Sequence, residues 1–415
     1  MKKFKRINCL VMICIFSGIL NYGIKSAQAI VPPDTDNAAL LYYQAFQYLP
    51  DVCNVSVDID LQDYGKAVPD NSLSAFIADG INALRLAGNA SQLCNCNWGV
   101  QYSRGFNYLM PYIAMKNLAF ILRVDLYVSI AEHRYQDTWK RCFMMRRYAE
   151  HLCCMHTDLG YALSLSVDSY ALQCIQYLLG ILPSDKTRLK SLQGQLFSGN
   201  FSKNFSDTLY TTLEMAIETM RNDKKTMNMV RLQYLKNLID SNCPTDKELV
   251  LNARKITTEF LSCALRIIES NTSIIKKYNE LQKFIATTKE ENSNNYAAHT
   301  LICTLSPTVM RLLAVRIKHK SQFNAVKNAI EIYLLAVGDG ELPKKIPCNL
   351  FKDPYSCKEF KYEILDGGFI LRCNAEDVFA CPLALGNNSF NASEYKCTTY
   401  EYMFRYNLTQ RLGTQ

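Results

Sequence analysis

The chain has 415 residues, of which 49% are hydrophobic and only 17 are glycine and 12 proline. This composition suits long helices better than a β-sandwich or a barrel, and the length favours two structural units. The formal net charge is +8, but residues 1–29 hold five basic residues and no acidic one, so the remainder carries only +3. A chain so close to charge balance gives no reason to expect a nucleic-acid partner.

The N-terminus has the pattern of a secretory signal peptide. Basic residues between positions 2 and 6 precede an apolar run over residues 10–20, and Ala27-Gln28-Ala29 follows. The apolar run is shorter than a membrane span. We therefore predict a signal peptide at residues 1–29, a mature chain without a membrane span, and a periplasmic or extracellular location. Retention of the segment as a membrane anchor is the alternative.

The opening and the centre of the chain are predicted to be helical. Asn37–Tyr48 and Asn71–Leu86 predict two helices, and Pro111–Leu182 predicts three more in succession. In this central stretch apolar residues recur every three or four positions, which is one face of a helix. Turns at His133-Arg134 and Asp158-Leu159-Gly160 separate the three helices. Three amphipathic helices joined by short turns pack antiparallel, because only then are their apolar stripes buried.

The second half continues as helices and ends in a different kind of segment. Helices are predicted at Asp185–Leu196, Ser206–Met220, Met229–Ser241, Asp246–Ser270, Ile274–Lys289 and Pro307–Val337, the last being one long helix or a broken pair. Lys361–Leu365 and Phe369–Arg372, around Gly367-Gly368, predict a β-hairpin. We therefore predict a mainly α fold: an antiparallel helical bundle or irregular helical array over residues 30–340, followed by a small cysteine-rich hairpin tail over residues 341–415.

Cysteine usage indicates cross-links outside the cytoplasm. Beyond residue 29 the chain holds 15 cysteines, an odd number that leaves at least one thiol unpaired or shared between chains. Exported proteins favour disulfides over zinc–thiolate sites. The disulfide candidates are Cys94, Cys96, Cys348, Cys357, Cys373, Cys381 and Cys397. The first two lie in the Cys94–Gly105 loop, which is either pinned by a disulfide and a buried Trp98 or a ligand site.

The candidate chemistry is concentrated in one short segment. The segment His151-Leu152-Cys153-Cys154-Met155-His156 offers His151, Cys153, Cys154 and His156 as ligands for zinc or copper. No single helix face presents all four, so core thiols beside surface histidines are the alternative. A thiol of this segment beside one of its histidines is also the only local pair for nucleophilic cysteine catalysis. The common haem, zinc-protease, hydrolase and P-loop motifs do not occur, and we predict no cofactor.

The tail carries one resemblance. Its sequence resembles the C-terminal part of type II secretion major pseudopilins, on the residues Ala329-Ile330, Tyr333, Gly338, Leu342-Pro343, Asp353-Pro354-Tyr355, Phe360-Lys361-Tyr362 and Gly368-Phe369-Ile370-Leu371. The match covers about fifty residues, Ser356-Cys357 stands where glycine is expected, and the N-terminal pilin helix is missing. The resemblance implies a shared hairpin module at the end of a helix.

A second resemblance covers the whole chain beyond the signal peptide. The opening Asp36–Phe46, the loop Cys96-Asn97-Trp98-Gly99 with Gly105, and the Asp353-Pro354-Tyr355 tail resemble uncharacterised exported helical proteins of bacteria. That resemblance implies export and helical architecture.

These observations yield two hypotheses about function. The first is an exported helical scaffold of the cell envelope that contacts protein partners and has no catalytic centre. The second is a metal-binding protein or cysteine-dependent enzyme that uses His151–His156. The sequence leaves the partner and the oligomeric state open.

Overall fold

A computed structural model describes residues 36–51, 71–107, 111–181, 186–197, 204–224, 227–229, 245–347, 350–373 and 401–405. The helices of this part are α1 (Ala38–Phe46), α2 (Asn71–Asp79), α3 (Ile81–Ser91), α4 (Tyr112–Ala131), α5 (Tyr135–Cys153), α6 (Asp158–Leu179), α7 (Lys186–Phe197), α8 (Asn204–Asn222), α9 (Asp246–Glu269), α10 (Ile274–Glu291) and α11 (Tyr296–Asp339). The strands are β1 (Lys361–Leu365), β2 (Gly368–Arg372) and β3 (Glu401–Arg405). The predicted mainly α fold with a small β tail is confirmed. The division at residue 340 stays a prediction, and the predicted helix Met229–Ser241 lies mostly outside the described residues.

The central helices α4, α5 and α6 form as predicted and bury their apolar stripes. On α4, however, burial extends almost around the helix from Leu118 to Ile130, so the expected solvated face is narrow. Arg123 of α4 lies with its guanidinium 4.2 Å from the ring centre of Tyr170. Asp125 on α4 is also buried and pairs with Arg141 of α5. The helix α4 is thus a core element, and it is buried more extensively than its single apolar stripe predicts.

The predicted helix Asn71–Leu86 is divided at Gly80. A Cβ atom at this position would collide with the side chain of Ile121, so α4 packs directly against the glycine backbone. The interruption changes the phase of the apolar face between α2 and α3. Ile81, the first residue of α3, is 56% exposed, while Leu73 of α2 and Leu84 of α3 are buried.

The longest helix, α11, begins at Tyr296 and not at Pro307 as predicted. Pro307 lies inside the helix, where it cannot donate a hydrogen bond to the fourth carbonyl before it. Beside the proline, Thr304 Oγ1 donates to the Thr300 carbonyl at 2.9 Å and Ser306 Oγ to the Ile302 carbonyl at 2.5 Å. The 44-residue helix continues through a residue that usually begins or ends one.

Among the described residues, one helix, α11, is long and apolar enough to cross a membrane by length and composition alone. Core helices of soluble proteins meet the same criteria. The side chains of α11 that contact the rest of the fold include Leu312, Ile330 and Tyr333, all buried. The absence of a membrane span beyond residue 29 stays a prediction.

The tail forms a three-stranded antiparallel sheet in the order β1-β2-β3, one strand more than the predicted hairpin. Phe369 of β2 pairs with Ile364 and with Phe404 of β3, and the Phe369 and Phe404 rings stack with centres 5.1 Å apart. The sheet is bound to the helices because Gln176 Nε2 of α6 donates to the Met403 carbonyl at 2.8 Å. Tyr333 of α11 donates to the carbonyl of Arg405, the last residue of β3.

The Asp353-Pro354-Tyr355 segment has a structural explanation. Asp353 is fully buried, and its carboxylate accepts hydrogen bonds from the Tyr355 backbone at 2.9 Å and the Ser356 hydroxyl at 2.8 Å. On the preceding side Asn328 of α11 exchanges two hydrogen bonds with the backbone of Phe351, at 2.8 and 2.9 Å. These bonds fix the turn that carries the chain from α11 to the sheet.

Replacing Gly105 with alanine is expected to lower the free energy of unfolding by at least about 2 kcal/mol. Gly105 has φ 59° and ψ −150°, a conformation that is essentially restricted to glycine. A Cβ atom there would also lie 2.8 Å from the Thr219 nitrogen and 2.9 Å from the Met215 carbonyl oxygen of α8. Urea denaturation measures the loss.

Gly340→Ala is the matched control. Gly340 also has a positive φ, 82°, but its Cβ would meet no atom within 4 Å, so we expect a loss of only about 1 kcal/mol. Equal losses for the two variants would show that the contact between Gly105 and α8 contributes nothing.

Candidate functional site

Three segments singled out in the sequence meet at one place in the structure. The opening residues Asn37–Phe46, the loop Cys94–Gly105 and the end of α5 at His151–His156 are in direct contact. Asn37 forms an isolated parallel bridge with Asn95, in which the Ala38 nitrogen donates to the Asn95 carbonyl at 2.9 Å. At the far end of the loop, the Tyr102 hydroxyl donates to the Met155 carbonyl at 2.7 Å.

Asn37 is the residue that ties α1 to the loop. As the N-cap of α1 its Oδ1 accepts from the Ala39 nitrogen at 3.1 Å, which satisfies a free amide of the first helical turn. The same oxygen accepts from the Asn97 nitrogen at 2.8 Å, and Nδ2 donates to the Asn97 carbonyl at 2.9 Å. The Gly99 nitrogen donates to Asn97 Oδ1 at 2.9 Å, and this side-chain hydrogen bond shapes the turn after Asn97.

Trp98 fills the centre of this junction and is 1% exposed. Its ring stacks on Tyr42 with centres 5.4 Å apart and lies parallel to Phe46 at 6.4 Å, while Tyr43 contacts it edge-on at 5.7 Å. We call Tyr42, Tyr43, Phe46, Trp98 and Tyr148 the aromatic cluster. The indole Nε1 donates to the His151 carbonyl at 2.6 Å, so the polar atom of the ring is satisfied. The predicted burial of Trp98 is confirmed.

His151 lies against the aromatic cluster and is 2% exposed. Its Nδ1 is 2.9 Å from the Tyr42 hydroxyl, and its carbonyl accepts from Trp98. Burial and, to a smaller extent, the Arg147 charge lower the pKa of His151 to about 4, while the Leu93 backbone acts in the opposite direction. The imidazole is therefore neutral near pH 7 and is held as part of the core.

We expect wild-type protein to lose about 3 kcal/mol more unfolding free energy than the His151→Gln variant between pH 7 and pH 4. The folded pKa of His151, about 4, lies below the ordinary value of 6.5. The unfolded chain therefore binds the proton first, and the stability present above pH 6.5 is lost as the pH falls toward 4. Urea denaturation at several pH values measures this difference. Parallel pH profiles for the two proteins would contradict it.

The four predicted metal ligands point in different directions. Helix α5 ends at Cys153, and the chain then turns through His156, which has φ 47°. Cys153 is buried and hydrogen-bonds with Ser164 and Asn204, whereas Cys154 is exposed. In the described part of the chain, no three histidine, cysteine or acidic side chains are arranged to hold a metal ion. The segment is therefore not a preassembled metal centre.

The thiols near the site are not activated nucleophiles. Burial raises the pKa of Cys153 to about 11. Burial also raises the pKa of Cys96, and the neighbouring Cys154 adds to the rise. The pKa of Cys154 is raised by burial as well, although Arg147 acts to lower it. A thiolate is the reactive form, so these environments do not favour cysteine catalysis.

The described cysteines, which include Cys94, Cys96, Cys357 and Cys373, are free thiols in this structure, and the predicted disulfides stay predictions. Cys94 and Cys96 alternate along an extended segment, and only Cys94 is fully exposed. Cys357 Sγ donates to the Thr272 carbonyl at 3.1 Å, and Cys373 Sγ contacts Ser321 Oγ at 3.0 Å. The remaining candidates, Cys348, Cys381 and Cys397, lie outside the described residues.

The structure contains a buried charged network that the sequence analysis did not predict. Arg146 of α5, Asp168 of α6 and His319 of α11 are 4%, 0% and 5% exposed. Asp168 Oδ1 accepts from Arg146 Nε at 2.8 Å, and Oδ2 lies 2.7 Å from His319 Nε2. Burial alone would raise the pKa of Asp168, but Arg146 and His319 together lower it. The carboxylate is therefore charged and holds three core helices together.

One signal for this network was present in the sequence. Asp168 lies three residues after Leu165 and four before Leu172, on the buried stripe of α6. A carboxylate on an apolar stripe requires a buried partner. The partners are 22 and 151 residues away along the chain, so no local pattern identifies them.

No protein family, curated protein or solved structure matches this chain. The two resemblances therefore stay predictions. The case for a function comes from the residues of the junction and from the surface around it.

Proposed function

We propose that this chain is an exported helical scaffold of the cell envelope that acts through contacts with protein partners. In this proposal residues 1–29 direct export, and the helices supply a rigid body with a small sheet at its end. His151 and the aromatic cluster maintain the fold and take no part in catalysis.

The observation that supports the proposal most is the state of His151. A catalytic or metal-binding imidazole needs one nitrogen that reaches substrate or metal. His151 is 2% exposed, its Nδ1 is hydrogen-bonded to Tyr42, and its neighbours Trp98 and Tyr148 are fully buried. A substrate would reach it only after the aromatic cluster had opened.

An exposed apolar edge supports the interaction role. The first turns of α4 and α6 come together on α11, since Asp158 pairs with Arg311 at 2.7 Å and Tyr112 interacts electrostatically with both. The next residues along the chain, Ile113 and Leu159, are 69% and 47% exposed. An apolar surface rimmed by polar residues is the feature that marks protein-binding sites, so this edge is the place where the proposal is tested.

Crosslinking in the envelope of the producing cell tests the proposal. We expect a crosslinked protein partner or a second copy of the chain, and we expect Ile113→Glu to reduce its yield at least about tenfold. The control is Leu251→Glu, a residue of α9 that is 63% exposed. A purified protein that stays monomeric and a chain that crosslinks to nothing would contradict the proposal.

A metal-binding or cysteine-dependent role is the second candidate. It is favoured by the nearness of Cys154 to Cys96, since a thiolate at Cys154 adds to the raised pKa of Cys96. If the isolated protein contains metal that is lost when His151 and His156 are both replaced with glutamine, this candidate displaces the scaffold. Metal that remains bound in that variant excludes the segment as its site.

A further inference from the structure

Helix α11 carries a histidine and a cysteine side by side near its beginning. His299 and Cys303 are four residues apart, so their side chains lie on the same face of the helix. The Sγ atom of Cys303 is 3.8 Å from Nε2 of His299 and 3.9 Å from Nδ1. Both residues are half-buried, and Cys303 is a free thiol. An imidazole and a thiol therefore stand together where solvent reaches them.

The separation of the two side chains fits a shared tetrahedral metal ion. With Zn–S about 2.3 Å and Zn–N about 2.0–2.1 Å, the sulfur and nitrogen of a zinc-bound pair are about 3.5–3.6 Å apart. The 3.8 Å between Cys303 Sγ and His299 Nε2 is only about 0.2–0.3 Å longer. Because the sulfur is almost equally far from both nitrogens, it faces neither lone pair, and the imidazole rotates about its Cβ–Cγ bond to bind. The solvent side of a half-buried ring leaves room for this rotation.

The helix holds the pair in place. The His299 nitrogen donates to the Asn295 carbonyl at 2.8 Å, and Asn295 Oδ1 caps the helix by accepting from the Ala298 nitrogen at 3.1 Å. Ala298 and Ile302, the residues just before His299 and Cys303, are fully buried. The first turns of α11 are thus fixed by a cap and by core packing, and ligands on such an element are positioned before a metal ion arrives.

We propose that His299 and Cys303 bind a zinc ion at the surface of α11. Cys303 supplies a thiolate and His299 a neutral imidazole nitrogen, a donor set that suits zinc. In the described part of the chain no third histidine, cysteine or acidic side chain joins them, so water fills the other two positions. Binding releases the thiol proton to solvent, and two water molecules leave the hydrated ion. Neither residue is among the ligand candidates chosen from the sequence, which all lie in the His151–His156 segment.

Zinc protection of the Cys303 thiol in the folded full chain tests the proposal. The protein is reduced, freed of reductant and metal, and labelled with N-ethylmaleimide for increasing times with or without zinc chloride. Trypsin then releases Cys303 within residues 290–311 and Cys263 within residues 256–266, each the only cysteine of its peptide. We expect saturating zinc to slow the labelling of Cys303 at least about tenfold, because the metal occupies the reacting thiolate, and EDTA to restore the rate.

Cys263, a half-buried thiol of α9, is the internal control. Its Sγ accepts a hydrogen bond from Arg266 Nη2 at 2.8 Å, and we expect it to be labelled at the same rate with and without zinc. A Cys303 labelling rate that zinc does not change would overturn the proposal.

His299→Gln distinguishes a shared site from zinc binding by the thiol alone. Glutamine removes the nitrogen ligand, so we expect the zinc concentration for half-protection of Cys303 to rise at least about tenfold. His133→Gln, the same change at an exposed histidine before α5, should keep the wild-type value. An unchanged labelling rate of Cys263 shows that each variant is folded. Wild-type protection of Cys303 in His299→Gln would overturn the shared site.

This test is independent of the proposed function. Labelling of the purified chain requires neither export nor a protein partner, so a negative result leaves the scaffold proposal in place. Zinc bound by His299 and Cys303 also remains when His151 and His156 are replaced, which distinguishes this site from a metal centre in the His151–His156 segment.

Discussion

Replacing Asp168 with asparagine is expected to lower the free energy of unfolding by about 3–5 kcal/mol. Asparagine has nearly the same shape, but it leaves the Arg146 guanidinium, 4% exposed, without its buried counter-charge. An uncompensated buried charge costs far more than the loss of one hydrogen bond. Urea denaturation at pH 7, well above the lowered pKa of Asp168, measures the effect.

Asp158→Asn is the matched control for this variant. Asp158 also pairs with an arginine at 2.7 Å, but the partner Arg311 is 52% exposed, so we expect a loss of no more than about 1 kcal/mol. If the two aspartate variants lost equal stability, the buried network would contribute no more than a surface ion pair.

Replacing Trp98 with alanine is expected to cost about 3–5 kcal/mol of unfolding free energy. The indole is 1% exposed and contacts Tyr42, Tyr43 and Phe46, so its removal leaves a cavity at the junction. It also removes the donor to the His151 carbonyl. Thermal and urea unfolding measure the loss.

Trp139→Ala distinguishes the junction from a general effect of losing tryptophan. Trp139 lies on α5, is only partly buried, and stacks on Phe143 with ring centres 6.4 Å apart. We expect its replacement to cost less than half as much as that of Trp98. A smaller effect at Trp98 than at Trp139 would contradict the central position of the aromatic cluster.

The periodic spacing of apolar residues was sufficient to predict those helices that bury only one face in the core. The stripes of α5 and α6 follow it, because residues such as Met145, Leu152 and Leu178 are buried where a helical repeat places them. Periodicity understated the burial of α4, because a helix surrounded by neighbours buries nearly every side. Pro307 misled the prediction of where α11 begins, because proline is typical of the first turn of a helix, whereas here it lies inside one.

The candidate site could be predicted only in part. Local sequence identified the three segments, but their contact depends on Asn37 meeting Asn97 sixty residues away. The same limit hid the partners of Asp168, which lie 22 and 151 residues away along the chain. The third strand, β3, was missed because its pairing with β2 spans a long cysteine-containing segment rather than a tight turn.

Native mass spectrometry of the chain recovered from the exported fraction of its cell tests the central claim most directly. The scaffold proposal predicts a chain that begins at Ile30, is held in a complex with protein, and carries no metal or cofactor mass held by His151 and His156 in the native spectrum. A monomer with added metal mass, lost on replacement of His151 and His156, would contradict the scaffold and assign function to the histidine–cysteine segment.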